Sequence, residues 1–251
     1  MENNELRQIA DPMGAAIYDF YKHAHEGRLV VCSSQFDDDQ IPVADLFRDF
    51  DQMPHVEQKA LEMAQGRILD VGAGSGCHSV ALTKMGKSVS AIDISPLSVE
   101  VMKERGVSAS LVNFYDEAFT ETFDTVLMLM NGTGIIGTLD NIPAFFDRLR
   151  SLLNPDGCVL IDSSDLSYLF EEEDGSIMID LADDYYGQID YQMRYEDASS
   201  SELEGVEGDA FDWLYLDFET LAFYAEENGF SAELLAEGDH YDYLAALSVK
   251  R

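Results

Sequence analysis

Short apolar runs alternate with amphipathic stretches along the middle of the chain. The apolar runs predict five strands, over residues 67–71, 88–93, 108–112, 124–130 and 158–162. Glycine, proline or polar residues bound these runs, as is usual for strands. Because the stretches between the runs have helical periodicity, the alternation predicts a mostly parallel sheet covered by helices.

Helical spacing and end signals place the helices between these strands. A helix is predicted over 77–85, and Gly86 ends it. The next begins at Ser95-Pro96, with the hydroxyl as its cap and proline at the first helical position. A last helix is predicted over 218–228. The clearest apolar face at helical spacing consists of Ile142, Phe145, Phe146, Leu149, Leu152 and Leu153.

The C-terminal part of the chain departs from the parallel pattern. Residues 231–236 and 241–249 read as two strands separated by Gly238-Asp239, which predicts an antiparallel pair at the sheet edge. Residues 154–157, with the sequence NPDG, are predicted to be a turn.

Two flanking regions are predicted to elaborate a single domain. The first carries apolar residues at helical spacing, namely Leu46, Phe47, Phe50, Val56, Ala60 and Leu61. The second contains a predicted hairpin of 188–196 and 211–217. The predicted divisions are an N-terminal helical cap over 1–66, a core over 67–162, an inserted hairpin or lid over 163–216, and a final helix with edge strands over 217–251.

The net charge of the chain argues against some classes of binding partner. There are 49 acidic and 15 basic residues, a formal net charge of −34, and Arg194 is the sole Lys or Arg between Ser151 and Val249. Because binding to phosphates needs Lys and Arg, nucleic acid and anionic membranes are not expected as partners. A well-solvated surface, suited to a salt-rich cytoplasm, is the favoured explanation, and an acidic docking surface for a cationic partner is the alternative.

The location of the protein is predicted from the cysteines and from the start of the chain. No apolar run is long enough for a membrane span, and the first twenty residues lack the features of a secretory signal. Cys32, Cys77 and Cys158 have no C-x-x-C spacing, which argues against a zinc site or a disulfide framework. We therefore expect a cytoplasmic protein with reduced thiols.

A glycine-rich segment, Asp70-Val71-Gly72-Ala73-Gly74-Ser75-Gly76, joins the first predicted strand to a helix. Glycine lets the backbone turn sharply and approach a ligand, and a helix start offers free N–H groups. Asp93 ends the next strand, where an acid in such folds binds ribose hydroxyls. A dinucleotide site of the G-x-G-x-x-G type would have glycine at position 77, but this chain has Cys77 there.

The segments ILDVGAGSG and AIDIS resemble the first two motifs of the class I S-adenosylmethionine (SAM)-dependent methyltransferases, and LLNPDGCVLID resembles a later segment of that family. The resemblance implies an α/β fold of the Rossmann-like, doubly wound kind, with seven mostly parallel strands and an antiparallel C-terminal edge. It also implies SAM as the cofactor and S-adenosylhomocysteine (SAH) as the product.

The same resemblance implies roles for individual residues. Asp70 would orient the loop or meet the methionine part of the cofactor, Asp93 would hold the ribose hydroxyls, and Ile94 would pack against adenine. The amino-acid end of the cofactor would contact the backbone of Gly72, Ala73, Gly74 and Gly76. His78 would lie nearby, Asn113 and Phe114 would meet adenine, and Asn131 would lie near the transferred methyl group.

Structural explanations compete with several of these roles. Gly72 and Gly74 are also suited to a tight turn, Asp70 to an internal cap, and Asn113 and Asn131 to turns. Asp116 is a second candidate for the adenine contact.

The sequence says less about the residues that would bind the methyl acceptor than about those that would bind the cofactor. Asn131 does not belong to a D/N-P-P-Y/F motif, no proline precedes a cysteine, and none of the five histidines has a pattern that marks it as a base. Candidate substrate-binding residues are Tyr18, Tyr21, Arg48, Tyr186 and Trp213, although core packing is the alternative for the aromatic ones. Asp162, Asp165, Asp183 and Asp184 are too generic in so acidic a chain to predict a metal site.

We therefore expect a SAM-dependent methyltransferase that acts on a small molecule and not on nucleic acid. One alternative is a methyltransferase-like protein that binds the cofactor or a partner without turnover. The other is a nicotinamide-dependent oxidoreductase, which the position of the third glycine disfavours. The acceptor, the methylated atom, the catalytic residues and the oligomeric state stay open.

Overall fold

The computed structural model describes residues 10–171, 185–199 and 202–250. In these residues the strands are β1 (Arg28–Cys32), β2 (Asp39–Ile41), β3 (Arg67–Val71), β4 (Ser88–Asp93), β5 (Ala109–Leu111), β6 (Phe123–Met128), β7 (Leu153–Ser164), β8 (Gln188–Glu196), β9 (Val206–Glu207), β10 (Phe211–Leu214), β11 (Phe230–Glu237) and β12 (Asp242–Val249). The α-helices are α1 (Pro12–His23), α2 (His55–Met63), α3 (Cys77–Lys84), α4 (Pro96–Glu104), α5 (Ile142–Leu152) and α6 (Phe218–Glu227). Short 3-10 turns cover Val43–Phe47, Phe50–Gln52, Gly132–Ile136, Leu139–Asn141 and Leu166–Phe170.

A seven-stranded sheet has the strand order β11-β12-β7-β6-β3-β4-β5. β4 with β5 and β6 with β7 are parallel pairs, whereas β12 pairs antiparallel with both β7 and β11. Val126, Leu127 and Val159 are buried along these strands, which explains their nearly continuous apolar sequence. The predicted fold, a mostly parallel α/β sheet with an antiparallel C-terminal edge, is confirmed.

Local signals account for the helix ends. Asp11 caps α1 and is followed by proline, and its side chain accepts a hydrogen bond from the Gly14 N–H. Ser95 caps α4 in the predicted way, accepting from the Ser98 N–H. Asp217 caps α6 by accepting from the Thr220 N–H.

A second sheet has the order β10-β8-β1-β2, with β9 also paired to β8. β8 has the predicted bounds and neighbours β10, as the predicted hairpin requires. The prediction that 1–66 is a helical cap is wrong in part, because β1 and β2 lie in this region. Sequence reasoning did not identify β1, which pairs with the short neighbouring strand β2 and, over more residues, with the distant strand β8.

The turn predicted at 154–157 is also wrong. β7 begins at Leu153 and runs through these residues, with a register shift opposite Phe123 and Thr125. The turn-forming composition instead produces an irregularity inside the strand, where Asp156 has a φ of +68°. Asn154 stabilises this irregularity because its amide donates to Asp124 Oδ1 over 2.9 Å and its carbonyl oxygen accepts from the Thr122 hydroxyl over 2.6 Å.

The chain divides into two compact units. The first contains Met1–Gln52, Asp70–Phe114 and Asp190–Phe211, and the second contains Met53–Leu69, Tyr115–Ile189 and Asp212–Arg251. The first has a core of its own around Ile17, Leu29 and Tyr195, and the second has one around Phe146 and Phe230. The single-domain division predicted above stays a prediction. In the described part of the chain, no helix has the length and apolar character to cross a membrane.

Candidate functional site

The glycine-rich segment forms the turn between β3 and α3. Gly72, Gly74 and Gly76 have φ values of +65°, +55° and +78°, which glycine adopts without the steric cost that other residues pay. The N–H groups of Gly72 and Ala73 both point to the carbonyl oxygen of Ile92, at 2.9 and 3.3 Å. The turn is therefore attached to the end of β4.

The three glycines differ in what surrounds them. A Cβ on Gly72 would meet no atom within 4 Å, and this residue is exposed. A Cβ on Gly74 would lie 3.7 Å from Ile17 Cδ1, and one on Gly76 would lie 2.8 Å from Met102 Cγ. Gly72 thus leaves open space where a ligand can approach the backbone, whereas Gly76 makes room for a side chain of α4.

Asp93, the last residue of β4, accepts backbone hydrogen bonds through both carboxylate oxygens. Oδ2 accepts from the Gly74 N–H and Oδ1 from the Ser95 N–H, each over 2.8 Å. Burial raises the pKa of this carboxyl, and the two backbone hydrogen bonds oppose the rise. Because each carboxylate oxygen has two lone pairs, acceptor capacity remains for a ligand hydroxyl.

Asp70 lies in the interior, beneath the first turn of α3. It is 2% exposed, and the Ser79 hydroxyl donates to its Oδ2 over 2.7 Å. Burial raises its pKa, while the nearby His78, itself buried, acts in the opposite direction. These contacts are the ones that the internal-cap explanation of Asp70 requires.

Exposed apolar residues lie at the ends of β4 and β5. Ile94 is 71% exposed and Leu111 is 56% exposed, and Leu111 is the register partner of Asp93 on the parallel strand β5. Asn113 is exposed two residues further on, whereas Phe114 is buried. Together Ile94 and Leu111 offer an apolar surface to a flat ring. The sequence did not reveal Leu111, because its importance depends on its register opposite Asp93.

A hydrogen-bond chain attaches the start of α1 to the same place. The Ser95 hydroxyl donates to Asp11 Oδ2 over 2.6 Å, and Asp11 Oδ1 accepts from the Gly14 N–H over 2.8 Å. Burial raises the pKa of Asp11, and these hydrogen bonds oppose the rise. Sequence reasoning missed Asp11, although the Asp-Pro pair at a helix start is a recognisable capping signal.

A second set of contacts joins the glycine turn to the 3-10 turn at Val43–Phe47. The Ser75 hydroxyl donates to the Leu46 carbonyl, and Arg105 Nη1 donates to the Ser75 carbonyl over 2.6 Å. The Arg105 guanidinium also lies 4.9 Å from the centre of the Phe47 ring. The backbone of the turn is therefore held from both sides.

The predicted substrate residues of the first unit lie near that 3-10 turn. The Tyr21 ring is stacked 6.5 Å from Phe47, and Lys22 Nζ lies 5.3 Å from the centre of the Tyr18 ring. Arg48 donates from Nη1 to the Asp45 carbonyl over 2.5 Å. Their role in binding an acceptor stays a prediction.

Asn131 belongs to the second unit, in the turn after β6. Met130 and Asn131 have φ values of +67° and +61°, which is uncommon for residues other than glycine. Asp162, at 6% exposure, accepts from the Met130 and Gly132 N–H groups, each over 2.9 Å. The Ser164 hydroxyl donates to Asn131 Oδ1 over 3.0 Å. Asp162 is a structural residue of this turn that sequence reasoning did not identify.

The other two predicted substrate residues also make internal contacts in the second unit. The Tyr186 hydroxyl lies 2.9 Å from Asp165 Oδ1 and 3.1 Å from Asp217 Oδ2. The Trp213 ring lies so close to Gly134 that a Cβ there would be 1.8 Å from Trp213 Cε2. Both observations agree with the packing explanation that the sequence left open.

No group of three His, Cys, Asp or Glu side chains with the spacing of a metal site occurs among the described residues. Asp183 and Asp184 lie outside those residues. Cys32, Cys77 and Cys158 are free thiols.

Comparison with known proteins decides the family. A family model described as a methyltransferase domain matches residues 68–157. A crystal structure of a SAM-dependent methyltransferase from Bacteroides fragilis, in complex with SAH, is 62% identical over 96% of this chain and 95% of that chain, with a TM-score of 0.88. The chain belongs to the SAM-dependent methyltransferases. This assignment confirms the predicted family and its cofactor class, and it removes the nicotinamide-dependent alternative.

Curated relatives are more distant from this methyltransferase. A cypemycin N-terminal methyltransferase from a Streptomyces species is 31% identical over 39% of this chain and 42% of its own length. A ubiquinone biosynthesis O-methyltransferase from Xylella fastidiosa is 27% identical over 42% of this chain and 44% of its own length. The chain thus spans less than half the length of these two relatives.

Proposed function

We propose that this methyltransferase binds SAM at the glycine turn of the first unit and transfers the methyl group to a small-molecule acceptor. The observation that carries the proposal is the open backbone at Gly72 beside Asp93. A glycine at positive φ with free space at its Cβ position suits close approach of a ligand to the main chain.

The residues around this turn fit the parts of the cofactor. The remaining lone pairs of Asp93 suit the ribose hydroxyls, and the exposed Ile94 and Leu111 suit the adenine ring. The side-chain amide of Asn113 suits the adenine amino group, because its oxygen can accept a hydrogen bond. The start of α3 suits the negatively charged carboxylate of the methionine part.

When bound, the cofactor supplies an electrophilic methyl group on a positively charged sulfur. The protein's own contribution is to hold the reactants in line and to exclude water. The carboxyl groups of Asp11, Asp70 and Asp93 lie around the glycine turn, and their ionised forms favour a cation there. We expect this charge to favour SAM over its neutral-sulfur product.

The proposed class of methyl acceptor is based on the charge of the chain and on the names of its relatives. The scarcity of Lys and Arg disfavours nucleic acid. One relative is named as an O-methyltransferase and another as an N-terminal methyltransferase, so hydroxyl and amine acceptors are both in the range to be tested. A cytoplasmic location stays a prediction from the reduced thiols.

Calorimetric titration with SAM, SAH and NAD tests the cofactor site. We expect binding of SAM and SAH and none of NAD. Asp93→Ala should weaken SAH binding by about 1–3 kcal/mol through lost hydrogen bonds. Asp37→Ala, an exposed acid of the same unit, is the matched control and should leave affinity unchanged. Equal affinities for both variants would remove Asp93 from the site.

Turnover requires its own test. SAH formation should be measured with panels of phenols, aliphatic hydroxyl compounds, amines and peptide N-termini. Acceptor-dependent SAH formation supports methyl transfer and identifies the atom. Tight SAM binding without SAH formation from any acceptor would favour the alternative of a binding protein without turnover.

A further inference from the structure

A large open groove in the second unit is lined by none of the residues assigned above to the cofactor. It is formed by α6, by the β11–β12 hairpin and by residues near Asp165 and Tyr186, and its volume is about 1240 Å³. This volume is more than enough for a small organic molecule.

The walls of the groove carry exposed aromatic and aliphatic side chains. Phe223 is 60% exposed, Tyr241 is 59% exposed and Leu234 is 39% exposed. The Tyr241 ring is stacked on Tyr168 with centroids 4.7 Å apart and an interplanar angle of 11°. Exposed aromatic rings have partly negative π faces, which attract a cation.

Acidic side chains line the same groove. These acids are Asp165, Asp217, Glu219, Glu237, Asp239 and Asp242, and among the described residues no Lys or Arg lines it. Asp217 is held as an acceptor by the Tyr185 hydroxyl at 2.7 Å and the Thr220 hydroxyl at 2.6 Å. Burial alone would raise the pKa of Asp217, but the hydrogen bonds from Thr220, Tyr185 and Tyr186 outweigh it and lower that pKa.

The combination of aromatic faces and negative charge is complementary to an organic cation. Among the described residues the acids form no cluster of three with metal-site spacing, so a bare metal ion is not the matching ligand. Glu237 and Asp239 are exposed and belong to the β11–β12 hairpin, whereas Asp217 lies at the start of α6. Acids spread in this way suit several positive charges joined by a flexible apolar chain.

We propose that this groove binds an aliphatic polyamine, whose ammonium groups pair with the acids while its methylene segments lie on Phe223, Leu234 and Tyr241. The ligand that fits this groove is a linear aliphatic chain that carries ammonium groups at intervals. The proposal does not rest on the cofactor site, and Tyr186, one of the predicted substrate residues, is among the residues that line the groove.

Isothermal titration with spermine tests the groove directly, with tetraethylene glycol as an uncharged chain of comparable length. We expect one saturable site for spermine, weakened by added salt, and none for the glycol. Glu237→Gln combined with Asp239→Asn should weaken binding roughly fivefold or more. Phe223→Leu, on an exposed helix face, should weaken it by about two- to fivefold because the π face is lost.

Glu117→Gln combined with Asp140→Asn is the matched control, since it removes two exposed acids of the same unit outside the groove. Spermine affinity should stay unchanged in this variant, and thermal unfolding checks that all variants are folded. Equal weakening in both double variants, or many equivalent sites, would show a diffuse charge effect and overturn the proposal. A lysine-rich peptide that displaces spermine and binds more tightly would overturn it in favour of a protein partner.

Discussion

The turns after β3 and after β6 are each supported by a carboxylate of the neighbouring strand, and they differ in the residues that form them. Asp93 of β4 accepts from the Gly74 N–H in the first turn and from the Ser95 N–H after its own strand. Asp162 of β7 accepts from two N–H groups of the second turn, those of Met130 and Gly132.

The difference lies in the residues at positive φ and in exposure. The first turn uses Gly72, Gly74 and Gly76, and Gly72 faces open space. The second uses Met130 and Asn131, and its carboxylate is buried. A supporting carboxylate can therefore serve a turn of glycines, whose backbone is open to a ligand, or a turn whose residues carry side chains of their own.

The largest expected effect comes from Asp162→Ala. Two backbone N–H groups would lose their acceptor in a buried place, so the free energy of unfolding should fall by about 3–5 kcal/mol. Urea denaturation measures the loss, with Asp140→Ala, an exposed acid, as the control. A loss below about 1 kcal/mol would mean that Asp162 does not hold the turn.

The next-largest expected effect is a difference in stability loss between substitutions at Gly76 and at Gly72. Gly76→Ala should lower the free energy of unfolding by about 2–3 kcal/mol, because strain at positive φ adds to a clash with Met102. Gly72→Ala should cost about 1 kcal/mol, since only the strain applies. Equal losses in urea denaturation would contradict the claim that Gly72 is kept free for a ligand.

The pH dependence of SAH binding tests whether Asp93 takes part in binding the cofactor. Its pKa is raised, so acidification should protonate it at a higher pH than an ordinary aspartate, and SAH affinity should fall in that range. The same shift has the opposite sign for folding: a raised carboxyl pKa means that the folded state gains stability from this group as the pH falls through that pKa. Calorimetry and thermal unfolding over one pH series measure both. Asp93→Asn should flatten the binding profile; a profile that persists in this variant would belong to another group.

The smallest expected effect concerns the second turn. Met130→Asn replaces a residue that is strained at a φ of +67° by one that tolerates this region, and it should raise the free energy of unfolding by about 0.5–1 kcal/mol. Measured in urea, a clear loss of stability would show that packing of the Met130 side chain outweighs the backbone strain.

Much of the fold and part of the site follow from local sequence. The bounds predicted for β3, β4 and β8 match the structure, because apolar runs and alternating polar and apolar residues specify strands locally. The positive φ values within the glycine segment also agree with the pattern, since glycine is the residue that permits them.

The features that the sequence did not predict depend on contacts between residues far apart in the chain. β1 pairs with the nearby β2 and, over more of its residues, with β8, which lies more than a hundred residues later. Asp162 matters because it meets the backbone of Met130 and Gly132, and Leu111 matters because it lies in register with Asp93.

The sequence by itself therefore determined the alternation of strands and helices, the glycine turn and the acid at the end of β4. The tertiary structure alone decided which carboxylates support which turns, which glycine faces open space and where aromatic rings and acids line one groove. The physical reason is that periodicity and turn chemistry act between near neighbours in the chain, whereas burial and hydrogen-bond partners depend on contacts that only folding creates.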